Sequence, residues 1–231
     1  MSLKKELSYP AWYNIFSWLT YIISAAVIYM VIIWVPRDVR LGDVQRIFYF
    51  HVASAWVAFF AFFIVFATSI LYLKTRSRSL DRIAFSSAEV GVVFTTIVLI
   101  TGPIWAKSSW NVWWNWDVRL TTTLILWFIY LAYLMVRGTA LEEEKKRVLS
   151  AVFGIVGFLN VPLVFMSIRW WWSIHPTVVD SGGFHMGPNM FRTLMASLLT
   201  FTLLYVFFLV RGIYLRLAAE KLEELKDLIR E

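Results

Sequence analysis

Six long apolar runs constrain the fold of this chain more than any other feature of its sequence. They cover roughly residues 12–35, 48–73, 84–105, 120–136, 148–168 and 193–210. A helix of roughly 20 residues crosses the hydrocarbon core of a bilayer, and each run is close to that length. With 60% hydrophobic residues, the chain is predicted to be an all-α integral membrane protein with six transmembrane helices.

The basic residues are divided unequally between two sets of loops. The N-terminus, the loops near 74–83 and 137–147 and the tail from 211 hold 15 of the 22 Lys and Arg residues, and the other three loops hold seven. Cytoplasmic loops carry the excess of basic residues, so both termini are predicted to be cytoplasmic. This distribution also accounts for the net charge of +7, so no nucleic-acid partner is predicted.

No linker rich in Pro, Gly or Ser separates the runs. Residues 1–210 are therefore predicted to form a single membrane domain, with external loops at about 105–119 and 169–192. Residues 211–231 are predicted to continue the last helix as a charged cytoplasmic tail. The chain contains no cysteine, which excludes a disulfide framework, a thiol nucleophile and a C-x-x-C-H haem attachment motif.

Tryptophan is concentrated in the two larger external loops. The stretch "WNVWWNWDVRLT", residues 110–121, contains Trp110, Trp113, Trp114 and Trp116, and "RWWWSIHP", residues 169–176, adds three more. With Trp105, eight of the 13 tryptophans lie on one side of the membrane. An aromatic belt would occupy both interfaces, so the asymmetry favours an aromatic binding surface.

The histidines are also predicted to be external. His51 lies near the outer start of the second helix, while His175 and His185 lie in the loop after the fifth. Two neutral imidazoles can ligate a haem iron from opposite faces, and Arg119, Arg169 or Lys107 could pair with the propionates. On this pattern His51 and His175 are candidate ligands, and His185 is the weakest candidate.

Several of these residues have simpler structural interpretations. A histidine at a helix end can serve only as a hydrogen-bonding group, and Asp117 can cap the fourth helix. Glu89, inside the third run, can be a packing residue that pairs with Arg82. Asn160 and the nearby proline predict a kink in the fifth helix.

The tryptophan stretch resembles the W-G-x-W-W-x-W-D-x-R-L-T signature of haem-handling membrane proteins. With "TGPIWAKSSW" before it and "WWWSIHP" later, nearly the whole chain is similar to the cytochrome c maturation protein C family of the system I pathway. The family usually has glycine where this chain has Asn111, and asparagine is the residue that best replaces glycine in a left-handed conformation.

The resemblance implies a specific role. His51 and His175 would be the axial ligands of haem b, and Trp110, Trp113, Trp114, Trp116 and Asp117 would belong to the haem-binding segment. The protein would present haem to a membrane-anchored haem chaperone, on which the covalent bond forms, with no catalytic triad of its own. An ATP-binding-cassette pair and a small single-helix subunit would be its other partners in the bacterial or archaeal cytoplasmic membrane.

Three competing functions remain open at this point. A b-type electron-transfer subunit would keep its haem, but such proteins generally place their histidines within helices. A transporter or permease would need polar residues along a path across the bilayer, for which Glu89 and Asn160 provide little. The larger cytochrome c synthase of system II shares the signature but usually has more helices and histidines.

Overall fold

The computed structural model describes residues 9–171, 175, 179–180, 183–184 and 186–230, and almost all of them are helical. The helices in this part of the chain are α1 (Ala11–Tyr29), α2 (Arg46–Thr75), α3 (Arg78–Trp110), α4 (Val118–Arg137), α5 (Glu143–Phe158), α6 (Asn160–Trp170) and α7 (Pro188–Arg230). A π-helical turn, Met30–Trp34, extends α1, and a 3₁₀ turn, Asp43–Gln45, precedes α2. Strands β1 (Val179–Asp180) and β2 (Gly183–Phe184) pair as a short antiparallel hairpin.

Six segments are long and apolar enough to cross a bilayer, as predicted. They are Ala11–Trp34, Asp43–Thr75, Arg78–Trp110, Val118–Arg137, Glu143–Trp170 and Pro188–Ile229. The fifth segment is the pair α5 and α6, and the sixth is α7, which continues without interruption into the charged tail. The predicted helical fold, with six helices long and apolar enough to span a membrane, is therefore confirmed.

The connection between α3 and α4 is shorter than the loop of about 105–119 that the sequence predicts. Although Pro103 lies inside α3, the helix continues to Trp110, so Trp105 and Trp110 are helical. The packing of the last turns outweighs the proline, because Ala106 is buried and the rings of Trp105 and Trp110 meet edge to face at 5.2 Å.

Both ends of this connection have the local chemistry predicted for them. Asn111 ends α3 in the left-handed conformation at φ 60°, and its N–H donates to the carbonyl of Lys107 at 3.1 Å. Asp117 caps α4 by accepting the backbone N–H of Arg119 at 2.9 Å. The connection is seven residues long, 111–117, and hydrogen bonds hold both of its ends.

The two central helices, α2 and α3, share the largest interface of the bundle, and α4, α5 and α7 pack around them. The ring of Phe62 on α2 stacks on that of Tyr130 on α4, with centroids 3.6 Å apart. Gly91 on α3 allows this arrangement, because a Cβ atom there would lie 2.5 Å from Cε1 of Phe62.

The fifth span is broken at Leu159, which confirms the predicted interruption near Asn160. The side-chain amide of Asn160 donates to the carbonyl of Thr122 at 2.7 Å and thereby ties the start of α6 to α4. Beyond this interruption, α6 packs against α4.

Ion pairs fasten the opposite end of the bundle. Glu89 pairs with Arg216 on α7 at 2.5 Å, whereas Arg82 pairs with Glu220 at 2.7 Å, so the pairing of Glu89 with Arg82 considered from the sequence is wrong. The partner was misassigned because the sequence does not show that the charged continuation of α7 lies along α3.

Candidate functional site

A cavity of about 570 Å³ lies among α2, α3, α4, α6 and α7, near the α3–α4 connection. Its size is typical of small-molecule pockets, which range from roughly 300 to 1,000 Å³. Most of its wall is apolar. The wall also contains seven histidine, tryptophan and arginine residues: His51, His175, Trp105, Trp110, Trp114, Arg119 and Arg169.

Two imidazole rings face this cavity from different parts of the chain. The ring centroids of His51 and His175 lie 6.5 Å apart, and the ring planes are inclined by 33°. Imidazole nitrogens bind a metal ion at about 2.0–2.1 Å, so two rings on opposite sides of one ion have centroids roughly 6 Å apart. The separation of His51 and His175 therefore matches that of two axial ligands.

The ring of His51 is oriented by α3. His51 lies in the second turn of α2, and its Nδ1 is 2.9 Å from the hydroxyl of Thr101. Gly102 leaves room for the ring, since a Cβ atom at this position would lie 3.3 Å from Cε1 of His51. Both contacts come from the segment "TGP" of α3, so His51 is held where α2 and α3 meet.

The predicted aromatic surface is divided into two groups. Trp105, Trp110 and Trp114 line the cavity, and the indole N–H groups of Trp105 and Trp114 are buried with no partner among the described residues. Trp113 and Trp116 are instead 59% and 76% exposed. Only the first group can contact a ligand inside the cavity.

The exposed group includes tryptophans from the second predicted loop. Trp170 and Trp171, at the end of α6, are 58% and 49% exposed. The third tryptophan of "RWWWSIHP" lies outside the described residues, as does His185, so no geometry is assigned to the weakest of the three histidine candidates.

The charged candidates have different positions. Arg119 and Arg169 reach the cavity wall from the start of α4 and the end of α6. Asp117 does not line the cavity, and its role in the structure is the helix cap, although its Oδ2 is buried without a partner among the described residues. Lys107 donates to the side chain of Asn111 at 2.7 Å.

The arrangement suits a flat, largely apolar ligand that carries anionic groups and a metal centre. The apolar wall and the three inner tryptophans provide contact area, and the two guanidinium groups can each form paired hydrogen bonds to a carboxylate. The buried indole N–H groups of Trp105 and Trp114 supply two further donors. The residues present therefore fit haem.

Comparison with known proteins agrees with this chemistry. The family model described as CcmC, heme exporter protein C, matches residues 5–226. The chain belongs to the heme exporter protein C family. The match includes α1 to α6, α7 as far as residue 226, and every residue of the cavity wall.

Curated relatives of this family come from plants and bacteria. A putative cytochrome c biosynthesis ccmC-like mitochondrial protein of Marchantia polymorpha is 31% identical over 83% of this chain and 79% of its own length. Heme exporter protein C of Bradyrhizobium diazoefficiens is 30% identical over 84% of this chain and 72% of its own length. The protein of the same name from Escherichia coli K12 is 27% identical over 72% of this chain.

Two groups of residues at this site were not identified from the sequence: the pair that contacts His51 and the apolar side chains of the wall. Thr101 and Gly102 contact His51 from a helix 50 residues away in sequence, and no local pattern indicates that contact. The apolar wall includes side chains such as Phe59 and Val164, which are indistinguishable in sequence from residues facing lipid.

Proposed function

We propose that this member of the heme exporter protein C family binds haem b in the cavity and presents it to a membrane-anchored haem chaperone. The observation that carries the proposal is the 6.5 Å separation of the His51 and His175 rings at the wall of a cavity of about 570 Å³. Family membership independently supports a role in haem handling for cytochrome c biogenesis.

In this proposal each group of side chains has one task. His51 and His175 ligate the haem iron, and Trp110 and Trp114 contact the porphyrin. Arg119 and Arg169 pair with the propionates, where a bidentate guanidinium holds a carboxylate in a fixed orientation. When bound, haem would supply the reactive peripheral group to which the chaperone becomes covalently attached. The protein would hold and orient that group for the transfer, as a lyase-like component without a catalytic triad.

The exposed aromatic residues are assigned to the partner. Trp113 and Trp116 project from the α3–α4 connection, and Trp170 and Trp171 project from the end of α6. Large exposed aromatic side chains are typical of interaction surfaces. We assign them to the contact with the chaperone, while Asp117 keeps the connection in place by capping α4.

The membrane orientation follows from the distribution of basic residues. With both termini cytoplasmic, the cavity opens on the external side of the bacterial or archaeal cytoplasmic membrane, where the chaperone would collect haem. An ATP-binding-cassette pair and a small single-helix subunit complete the proposed membrane complex.

Co-expression with the haem chaperone tests the proposal. We expect covalent haem on the purified chaperone with the wild-type protein, its loss with His51→Ala or His175→Ala, and a several-fold decrease with Trp116→Ala. Trp12→Ala is the matched control, because Trp12 is also an exposed tryptophan, at 52%, but lies on α1. Undiminished haem on the chaperone with both histidine variants would refute the proposal.

A b-type electron-transfer subunit is the second candidate, because a pair of axial histidines also fits a haem that is never released. The same experiment separates the two. A retained haem with no loading of the chaperone would favour electron transfer, whereas loading of the chaperone favours presentation.

A further inference from the structure

Thr101 makes two short contacts through one hydroxyl group, in addition to a longer one of 3.5 Å to the carbonyl oxygen of Val98. Its Oγ1 lies 2.7 Å from the carbonyl oxygen of Ile97, one turn earlier in α3, and 2.9 Å from Nδ1 of His51. A threonine hydroxyl has one proton to donate and can accept further hydrogen bonds. The two contacts therefore limit which group carries each proton.

The carbonyl of Ile97 can only accept, so the proton of Thr101 must lie in the contact with that carbonyl. If this proton instead pointed at His51, two oxygen atoms 2.7 Å apart would face each other with no proton between them. The oxygen of Thr101 is then left as an acceptor toward the imidazole, and Nδ1 of His51 must be the donor.

We propose that Thr101 is a positioning residue that holds His51 as the Nδ1–H tautomer, with the lone pair of Nε2 free to bind the haem iron. This inference rests on the proposed function, because it assigns His51 as a ligand. The second ring nitrogen of a metal-binding histidine commonly donates to an acceptor that fixes its tautomer and orientation. In this protein the acceptor would be the hydroxyl of Thr101, which donates its own proton to the carbonyl of Ile97.

Gly102 supports the same arrangement from the next position. A Cβ atom there would come within 3.3 Å of Cε1 of His51, the ring carbon between the two nitrogens. Thr101 thus provides a hydrogen bond to the ring of His51, and Gly102 leaves the space that the ring occupies. Together the two residues fix the orientation of the ring.

Nitrogen NMR of the haem-free protein in detergent tests the inference without any activity readout. Labelling histidine with ¹⁵N gives signals from only three imidazoles, and His51→Gln identifies those of His51. We expect the wild type to show a protonated Nδ1 and an unprotonated Nε2. The opposite pattern in the wild type would overturn the proposal, whatever the variants do.

The variants separate a positioning role from a general effect on folding. Thr101→Val should change the tautomer signals of His51, and Thr101→Ser, which keeps the hydroxyl, should restore them. Thr96→Val is the matched control: Thr96 also donates to a carbonyl in its own helix, that of Val92, but accepts from Trp127 instead of His51. Wild-type signals in Thr101→Val would contradict the proposal.

Haem-loaded protein provides a second readout. Removing an acceptor from Nδ1–H makes the imidazole a weaker electron donor, so Thr101→Val should shift the midpoint potential of the haem to more positive values, and Thr101→Ser should reverse much of the shift. If none of the proteins binds haem, the proposed function fails while the tautomer measurement still decides the role of Thr101. If haem binds and the potential does not move, the positioning role is wrong.

Discussion

The ion-pair cluster around Asp81 gives a prediction that follows directly from burial. The carboxylate of Asp81 accepts hydrogen bonds from both terminal nitrogens of Arg137 and lies 3.5 Å from Nε of Arg147. The side chains of Asp81 and Arg137 are only 9% and 7% exposed. Asp81→Asn keeps the shape of the side chain but leaves two largely buried guanidinium groups without their shared counter-charge.

Removing one partner from a buried ion pair costs about 3–5 kcal/mol. For chains of this size, a change of 1 kcal/mol moves the unfolding midpoint by about 2–4 °C, so Asp81→Asn should lower it by roughly 6–20 °C. The assay is thermal unfolding of the detergent-purified protein followed by circular dichroism, with all variants heated at the same rate. Adding Arg137→Met to Asp81→Asn should recover part of the loss, because one uncompensated charge is removed.

The matched control is the pair of Arg76 and Glu144, whose side chains are 52% and 49% exposed. Exposed pairs contribute about 0–1 kcal/mol, so Glu144→Gln should shift the midpoint by no more than about 4 °C. Asp81 lies twenty residues before Thr101 on α3, roughly 30 Å along the helix, so the haem spectrum of Asp81→Asn should be unchanged. Equal midpoints for Asp81→Asn and Glu144→Gln would refute the reasoning.

Three further predictions concern the cavity and its supports. Gly102→Ala should displace the ring of His51 by a few tenths of an ångström and lower haem affinity roughly tenfold, measured by haem titration; unchanged affinity would contradict the close contact at 3.3 Å. Trp116→Ala should leave the haem spectrum as in the wild type but slow loading of the chaperone in a time course, and an altered spectrum would instead place this exposed side chain against haem. Asn160→Leu should remove the hydrogen bond to Thr122 and lower the unfolding midpoint by about 1–6 °C, whereas an unchanged midpoint would show that this bond does not stabilise the break in the fifth span.

Local chemistry made some parts of the structure predictable from sequence. The six spans follow from the length of the apolar runs, and they were found where expected. The left-handed Asn111 and the capping Asp117 were also predictable, because each depends on the intrinsic preferences of one side chain and on backbone groups within a few residues.

Contacts between distant helices were not predictable in the same way. The pairing of Glu89 with Arg216 depends on the path of α7 along α3, which no residue near Glu89 encodes. The third apolar run was predicted to end near Trp105, whereas the helix continues to Trp110, with Ala106 buried in its last turns.

The candidate site shows the same division. The types of residue at the site could be read from the sequence, since histidine, tryptophan and arginine have few alternative roles in such a cluster. The directions of these side chains could not be read from the sequence. The seven residues between α3 and α4 have no helical or strand periodicity, so nothing indicated that Trp114 lines the cavity while Trp113 is exposed. The contact between Thr101 and His51 likewise required the packing of α2 on α3.

The central claim is that His51 and His175 ligate one haem in the cavity. The most direct measurement is the visible absorption spectrum of the detergent-purified protein after co-expression with the haem chaperone, for the wild type, His51→Ala, His175→Ala and His185→Ala. We predict a six-coordinate haem spectrum that is lost or altered in the first two variants and retained in His185→Ala. A wild type that stays haem-free under haem-replete conditions, or an unaltered spectrum in His51→Ala and His175→Ala, would contradict it.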